Sequence, residues 1–253
     1  MEKRIAVLGG STTNDIISML ELFLLNCGIQ PAFYQSEYAQ YWQDAMFDNP
    51  ELESFQPDLI FIHTTSRNIT EAPLPLSASE QEVRDALERQ FSHFSQMWER
   101  LHEVYHCPII QNNFELPSTR LMGNRDAWDC HGMVWFIQEL NRKFGQYAAS
   151  HSDFYLHDLH YLAASYGLDA WHDDSYWYLY KYAMTLDAVP ESSALSTART
   201  KKSWRWIWTT RSGAVSSAMT DKRALPSDRR LPRQRHTQRC RSTARHRNSW
   251  ACC

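Results

Sequence analysis

The sequence lacks the glycine-rich motifs that bind nucleotides. Neither a P-loop nor a G-x-G-x-x-G pattern occurs in its 253 residues, which argues against the P-loop and dinucleotide-binding classes. Paired cysteine spacing is also absent, so we expect no metal site. The cysteines are Cys27, Cys107, Cys130, Cys240, Cys252 and Cys253. We expect the first three to be small buried side chains in a reducing compartment.

Long hydrophobic runs are missing as well. No stretch reaches the roughly 18–20 apolar residues that a membrane-spanning helix needs. The opening MEKRIAVLGG has too short an apolar run for a signal peptide, and it has the pattern of a strand. We therefore expect a cytoplasmic protein without a membrane partner.

Acidic residues are scarce in one part of the chain only. Residues 199–253 hold 15 of the 26 lysines and arginines but only Asp221 and Asp228 of the 29 acids, a net charge of +13. Residues 1–198 carry 11 bases against 27 acids, a net charge of −16. So sharp a change predicts a boundary near residues 190–200. We divide the chain into a domain at 1–190 and a basic tail at 191–253.

Strand-like and helix-like patterns alternate through the first domain. Short apolar runs predict strands at 4–9, 31–36, 57–64, 107–113 and 153–158. Amphipathic patterns predict helices at 11–28, 36–47, 77–106 and 128–151, and further helix up to about Met184. This alternation predicts an α/β fold, a doubly wound sheet of five parallel strands. Ligands of such sheets lie beyond the carboxyl ends of the strands.

The segment GGSTTN at 9–14 follows the first predicted strand. Gly9 and Gly10 permit a tight turn, after which Ser11 and the first N–H groups of a helix face the crevice. This arrangement suits an anion site, or a serine nucleophile beside an oxyanion hole. Gly10, Thr12 and Asn14 are then candidate substrate contacts. Alternatively, Ser11 or Thr12 only caps the helix.

Polar residues also follow the third and fourth predicted strands. Arg67 and Asn68 in HTTSRN are placed at the same edge, where Asn68 could donate a hydrogen bond to an oxyanion. Asn112 is a candidate substrate contact. The alternatives are a polar loop with a turn-forming asparagine, and an Asn112 amide that only satisfies loop backbone.

The last part of the domain supplies histidines and acids. Asp174 is a candidate catalytic acid near His172 in WHDDSYWYLYKYAM, or simply a helix cap. The dense aromatic residues of this segment favour packing. His157 and His160 flank Asp158 after the last strand, where structural histidines are the expectation.

The run IAVLGGSTTNDIISMLELFLLNCG and its continuation to TTSRNI closely resemble FkbH-like proteins of HAD subfamily IIIC, whose N-terminal domain is SGNH-hydrolase-like. The resemblance extends from about residue 3 to 190 and implies a flavodoxin-like sheet. It places Ser11 at the serine of the first block, here Gly-Gly-Ser instead of Gly-Asp-Ser, and Asn68 at the asparagine of the third. The last block, Asp-x-x-His, is not intact, because Tyr176 and Trp177 stand where its histidine is expected. Without that histidine Ser11 lacks an evident base.

The resemblance also implies a function. In this family a second domain resembling HAD phosphatases opens with Asp-x-Asp-x-Thr and uses Mg²⁺, and polyketide-type members move a glyceryl unit onto an acyl carrier protein. We therefore expect the N-terminal domain of such a phosphatase or glyceryl transferase, with the catalytic domain lost and no cofactor in this chain. Expected partners are an acyl carrier protein or a small anionic metabolite. The alternatives are an ester hydrolase that uses Ser11 and a non-catalytic module that binds those partners.

The basic tail has a different explanation in another reading frame. Read one nucleotide earlier, the codons of Trp206–Ile207, Trp208–Thr209 and Met219–Thr220 each force an aspartate, because Trp and Met have single codons. The codon positions between and around them that the protein sequence does not determine permit Asp-Leu-Asp-Asn-Thr. We infer a one-base slip between about residues 190 and 202, followed by a non-native tail expected to be disordered. The rival hypothesis is a basic arm that binds nucleic acid.

Overall fold

The computed structural model describes residues 1–197 as an α/β fold around one sheet. The strands are β1 (Glu2–Gly9), β2 (Gln30–Gln35), β3 (Leu59–His63), β4 (Ile109–Asn112) and β5 (Phe154–His157). All neighbouring pairs are parallel, and the order is β2-β1-β3-β4-β5. This is the flavodoxin-like order, so the predicted doubly wound sheet of five strands is confirmed.

Helices cover both faces of the sheet. They are α1 (Asn14–Asn26), α2 (Tyr41–Met46), α3 (Pro50–Phe55), α4 (Glu80–Tyr105), α5 (Met133–Ser150), α6 (Leu159–Tyr166), α7 (Leu168–Trp171), α8 (Asp174–Tyr180) and α9 (Val189–Thr197). Short 3₁₀ turns lie at Ser66–Asn68, Gly123–Ala127 and Leu186–Ala188.

Within residues 1–197, none of these helices combines the length and apolar character that crossing a membrane requires.

Two apolar layers form the core, one on each face of the sheet. Alternate residues of the central strands point to opposite faces, so that Phe61 packs in one layer and Ile62 in the other. Helices α2, α3, α4 and α5 bury side chains in the layer of Ile62, whereas α1, α6, α7 and α9 cover the layer of Phe61. Burial on both faces explains why β1 and β3 have continuous apolar runs.

Several element boundaries differ from the prediction for local reasons. Helix α1 begins at Asn14, because the preceding residues form the turn out of β1. The predicted helix at 36–47 is shorter, and α3 was not predicted, although Asn49 caps it and Pro50 occupies its first turn. The predicted helix after β5 is three helices, separated at Gly167, whose φ is +107°, and at His172 and Asp173.

The three cysteines of the domain differ in burial. Cys107 is buried and Cys130 partly buried, but Cys27 is exposed, so its predicted burial is wrong. Cys27 follows the last residue of α1, where the chain turns through Gly28 with a φ of +77° and leaves the core.

The predicted boundary at residue 190 falls inside α9. Val189, at the start of this helix, is buried in the same apolar layer as Leu20 of α1. The rest of the predicted tail, from residue 198, lies outside the described part of the chain. The division into 1–190 and 191–253 therefore stays a prediction.

Candidate functional site

The candidate site lies at the carboxyl edge of the sheet, where four strands end in one row. Gly9 at the end of β1 pairs with His63 at the end of β3. Asn112 at the end of β4 pairs with His157 at the end of β5. His63 and Asn112 are completely buried, and His157 is 7% exposed. A buried polar row at this edge is the position that the fold offers for ligands and chemistry.

The turn after β1 brings Asn68 next to Gly10. The Gly10 N–H donates to the carbonyl of His63 at 2.8 Å. The Asn68 Nδ2 donates to the carbonyl of Gly10 at 3.1 Å, and its Oδ1 accepts from the N–H of Thr65 at 2.8 Å. Asn68 therefore flanks Ser11, as the sequence predicts. Among residues 1–197 its second N–H has no acceptor.

Gly10 is required at this turn because Asn68 lies against it. A Cβ built on Gly10 would lie 2.4 Å from the Asn68 Oδ1, closer than any real contact. We expect Gly10→Ala to displace Asn68 and to lower the free energy of unfolding by about 1–3 kcal/mol, measured by urea denaturation. The control is Gly145→Ala, where an added Cβ meets nothing within 4 Å inside α5, and where we expect a gain of about 0.5–1 kcal/mol. Equal stability of Gly10→Ala and the native chain would contradict this close packing.

Ser11 faces a histidine that the sequence analysis did not single out. Its Oγ lies 3.5 Å from the Nδ1 of His63, and Ser11 is 2% exposed. The capping position of α1 is Thr13, so the alternative that Ser11 or Thr12 caps this helix is wrong. Burial, with a smaller contribution from His157, lowers the pKa of His63 to about 3. His63 is therefore neutral near pH 7.

His157 is the second buried histidine of the row. Burial lowers its pKa to about 4, and both His157 and His63 contact the ring of Phe61 edge-on. In residues 1–197 neither Nε2 atom has a hydrogen-bond partner. A signal existed in the sequence, because the third and fifth strands, IFIH and FYLH, both end in histidine.

Asn112 bonds to the protein backbone. Its Oδ1 accepts from the N–H of Thr64 at 2.8 Å, and its Nδ2 donates to the carbonyls of Thr64 at 2.6 Å and Asn113 at 2.7 Å. These bonds join the ends of β3 and β4, which corresponds to the alternative role in satisfying loop backbone. Its contact with a substrate stays a prediction.

Arg67 and Asp174 meet at the mouth of the crevice. The Arg67 Nη2 lies 2.5 Å from the Asp174 Oδ1, and the Asp174 side chain is 72% exposed. The guanidinium of Arg67 lies 4.9 Å from the ring centroid of Trp177, and the Lys181 Nζ lies 5.7 Å from the same ring. Helix α8 is capped by Asp173, which accepts from the N–H of Ser175. Asp174 is therefore free to pair with Arg67, and its catalytic role stays a prediction.

The end of α8 closes over the turn that carries Ser11. The Thr12 N–H donates to the carbonyl of Lys181 at 2.9 Å, and its Oγ1 donates to the carbonyl of Tyr180 at 2.7 Å. Asn14 is exposed, and its Oδ1 accepts from Gln35. Contacts of Thr12 and Asn14 with a substrate stay predictions. The segment that lacks the Asp-x-x-His block therefore still contacts the turn of Ser11, through the backbone carbonyls of Tyr180 and Lys181.

Glu115 is a buried acid that sequence analysis missed. It is 2% exposed, and its Oε1 accepts from the N–H and the hydroxyl of Ser66 at 3.0 and 2.8 Å. Burial raises the pKa of this carboxyl, opposed by the nearby His172. The two hydrogen bonds between Glu115 and Ser66 stabilise the turn that places Arg67 and Asn68 at the crevice.

A cluster with metal-ligand chemistry lies before α5. Ligand atoms of Asp129, Cys130 and His131 lie within 4.8 Å of one another. The His131 Nδ1 lies 2.8 Å from an Asp129 oxygen, its Nε2 lies 2.9 Å from the carbonyl of Ala78, and Arg125 pairs with Asp129. These bonds raise the pKa of His131 and lower that of Asp129 to about 2. The cluster is thus joined internally by hydrogen bonds.

A cavity of about 210 Å³ lies at the opposite end of the sheet. Ile109 and Phe154, the first residues of β4 and β5, line it together with Trp98, His102 and Tyr147. It shares no residue with the turn of Ser11 or the polar row. We place the candidate site at the carboxyl edge, where the nucleophile, the neutral histidine and the amide donor meet.

Comparisons with known proteins agree with this architecture. The sequence profile of the family described as FkbH, N-terminal domain, matches residues 4–197. None of the curated proteins compared with the chain matches it. The N-terminal part of a Bacteroides fragilis protein, solved with a phosphatase domain complexed with Mg, is similar with a TM-score of 0.66 and 18% identity over 77% of this chain and 50% of that structure. The chain thus spans half the length of that structure.

Two further solved structures are similar to the chain at lower TM-scores. A putative acylhydrolase from Bacteroides fragilis has a TM-score of 0.46 and 15% identity, over 82% of this chain and 88% of its own. A GDSL-like lipase from Bacteroides thetaiotaomicron has a TM-score of 0.42 and 14% identity, over 82% and 89%.

Proposed function

The chain belongs to the family of FkbH N-terminal domains, and from this premise we propose that it is the N-terminal module of a HAD-type phosphatase or glyceryl transferase. The module works in biosynthesis on an acyl carrier protein. The observation that carries the proposal is the family match over residues 4–197. The phosphatase chemistry belongs to a second domain, whose Asp-x-Asp-x-Thr motif is absent from the chain.

The alternative reading frame of the basic tail supports the same proposal. Three aspartates are forced in one register when residues 206–220 are read one nucleotide earlier, and the family match ends at residue 197, inside the interval proposed for the slip. A catalytic strand of the phosphatase type in that frame accounts for the clustered tryptophans and arginines without any binding function.

The mouth of the crevice is our proposed docking point for the carrier protein. Arg67 and Lys181 place two cations over the ring of Trp177, beside the exposed ring of Tyr178. A carrier protein presents an anionic phosphopantetheine whose phosphate suits a guanidinium and whose arm suits an aromatic surface. An anionic metabolite would use the same cations.

Titration of the holo carrier protein into the full chain tests this docking point. We expect binding in the micromolar range typical of transient partners, and Arg67→Ala to weaken it about fivefold to tenfold. The control is Arg142→Ala, an exposed arginine on α5 that pairs with Glu139. The basic tail is present in both variants, and each variant loses an arginine that pairs with one acid, so the difference between them reflects the charge at the crevice mouth. Equal affinities of the two variants would remove the crevice mouth as the docking point.

A further inference from the structure

We propose that Ser11 and His63 form a nucleophile–base pair that accepts a short acyl group from an ester or thioester. This activity goes beyond the accessory role and does not depend on it. The base that the degenerate last block no longer supplies comes instead from the end of β3.

Two contacts fix the geometry of the pair. The Ser11 Oγ lies 3.5 Å from the His63 Nδ1, and the backbone carbonyl of His63 holds the N–H of Gly10 at 2.8 Å. The second contact ties the turn of Ser11 to the strand that carries the base. The approach of hydroxyl and ring nitrogen is at the long end of hydrogen bonding, as is common for catalytic pairs without substrate.

The ring of His63 is neutral at the pH of the reaction, although its low pKa makes it a weak base. Because it is fully buried, its neutral form persists down to acidic pH. A neutral imidazole protonated at Nε2 presents a lone pair at Nδ1 toward the serine hydroxyl. The Nε2 has no partner within residues 1–197, so no third group orients the ring as an aspartate does in a triad. We therefore expect slow acylation.

Asn68 supplies the donor for the developing oxyanion. One of its two N–H bonds is used by the carbonyl of Gly10, the residue before Ser11, and the other is free to donate. Amide donors preorganised in this way stabilise the charge that develops when serine attacks a carbonyl.

The step balances as acyl transfer. The Ser11 Oγ forms a bond to the acyl carbon while its proton moves to the His63 Nδ1. The tetrahedral intermediate then breaks the bond to the alcohol or thiol, which leaves with the proton from His63. The products are O-acyl-Ser11 and the free alcohol or thiol, and water activated by His63 releases the carboxylic acid. Since Ser11 is 2% exposed beneath the end of α8, the acyl group must be small, such as acetyl.

Acetylation by p-nitrophenyl acetate, followed by intact mass and peptide mapping, tests the pair in the full chain. We expect one acetyl group on Ser11 in the native chain and none at that peptide in Ser11→Ala. His63→Gln should slow acetylation of Ser11 by about tenfold or more, a smaller effect than for a general base whose pKa lies near 7. His93→Gln is the control, because His93 is a partly buried histidine of α4 whose ring stacks on Trp42, in the layer of Ile62 on the other face of the sheet. Its rate should stay within about threefold of the native rate.

Two outcomes would overturn the proposal that Ser11 and His63 form a nucleophile–base pair. The first is a native chain in which Ser11 stays unmodified at saturating reagent. The second is a His63→Gln rate equal to that of His93→Gln. If circular dichroism finds His63→Gln unfolded, the pH profile of the native chain decides. A flat acetylation rate between about pH 5 and 8 supports a base that is neutral throughout, and a rise with a midpoint near 6.5 excludes His63. None of these outcomes bears on the phosphatase proposal, which rests on the family match and the reading frame.

Discussion

Restoring the reading frame between residues 190 and 202 is expected to give a Mg²⁺-dependent phosphatase, whereas the chain as printed should have no such activity. In the restored frame the codons of Trp206–Ile207 and Trp208–Thr209 encode the two aspartates of Asp-Leu-Asp-Asn-Thr. The first aspartate is the expected nucleophile for phosphoryl transfer, and Mg²⁺ balances the charge that develops.

Hydrolysis of p-nitrophenyl phosphate with and without EDTA measures this gain. The control is the restored protein with its first motif aspartate changed to asparagine, which should lose at least about 10³-fold in kcat, because the nucleophile is removed. Equal activity of the printed chain and the restored protein, or activity that survives the aspartate change, would contradict the proposed origin of the tail.

Acidification between pH 7 and 4 is expected to destabilise the domain strongly through its two buried histidines. Burial lowers the pKa of His63 to about 3 and that of His157 to about 4, from 6.5. Below about pH 6.5 the unfolded chain therefore binds protons that the folded chain does not bind. The free energy of unfolding consequently falls as the pH falls. Each histidine should remove about 3 kcal/mol between pH 7 and 4. Together they approach the whole stability of a typical domain.

Urea denaturation at pH 7, 5.5 and 4 measures this loss. His157→Gln should reduce the pH dependence of the free energy of unfolding by about half, because one of the two histidines is removed. Glu115 acts in the opposite direction, since its pKa is raised by burial and its protonation favours the folded state. A free energy of unfolding in His157→Gln that changes with pH as steeply as in the native chain would contradict the neutral burial of His157.

The sheet was predictable because its strands carry their pattern locally. The runs AVL in β1 and LIFI in β3 are apolar on both faces, and only a doubly covered parallel sheet buries both. Helix α4 was predicted from its amphipathic pattern, and the structure shows in addition a capping box formed by Ser79 and Glu82. The break of the last helical segment at Gly167 and the short α3 depended on local turns that a helical period does not reveal.

The site was only partly predictable because its contacts cross the fold. Ser11 and Asn68 were found from the residues that follow strands, and the structure brings them together at Gly10. The pairing of Ser11 with His63 joins residues 52 positions apart, and it depends on the parallel register of β1 and β3. The sequence shows that the third and fifth strands end in histidine, but it does not show that the ring of His63 faces Ser11. The hydrogen bonds from Thr12 to the carbonyls of Tyr180 and Lys181 likewise depend on where α8 ends.

The nucleotide sequence across residues 185–253 is the most direct test of the proposal that this is the N-terminal module of a HAD-type enzyme. We expect the frame one nucleotide earlier to encode Asp-Leu-Asp-Asn-Thr across residues 206–211, with its free codon positions as that motif requires. A neighbouring frame that does not encode Asn-Thr directly after the second of the three forced aspartates would contradict this proposal. The basic tail would then be a genuine part of the protein.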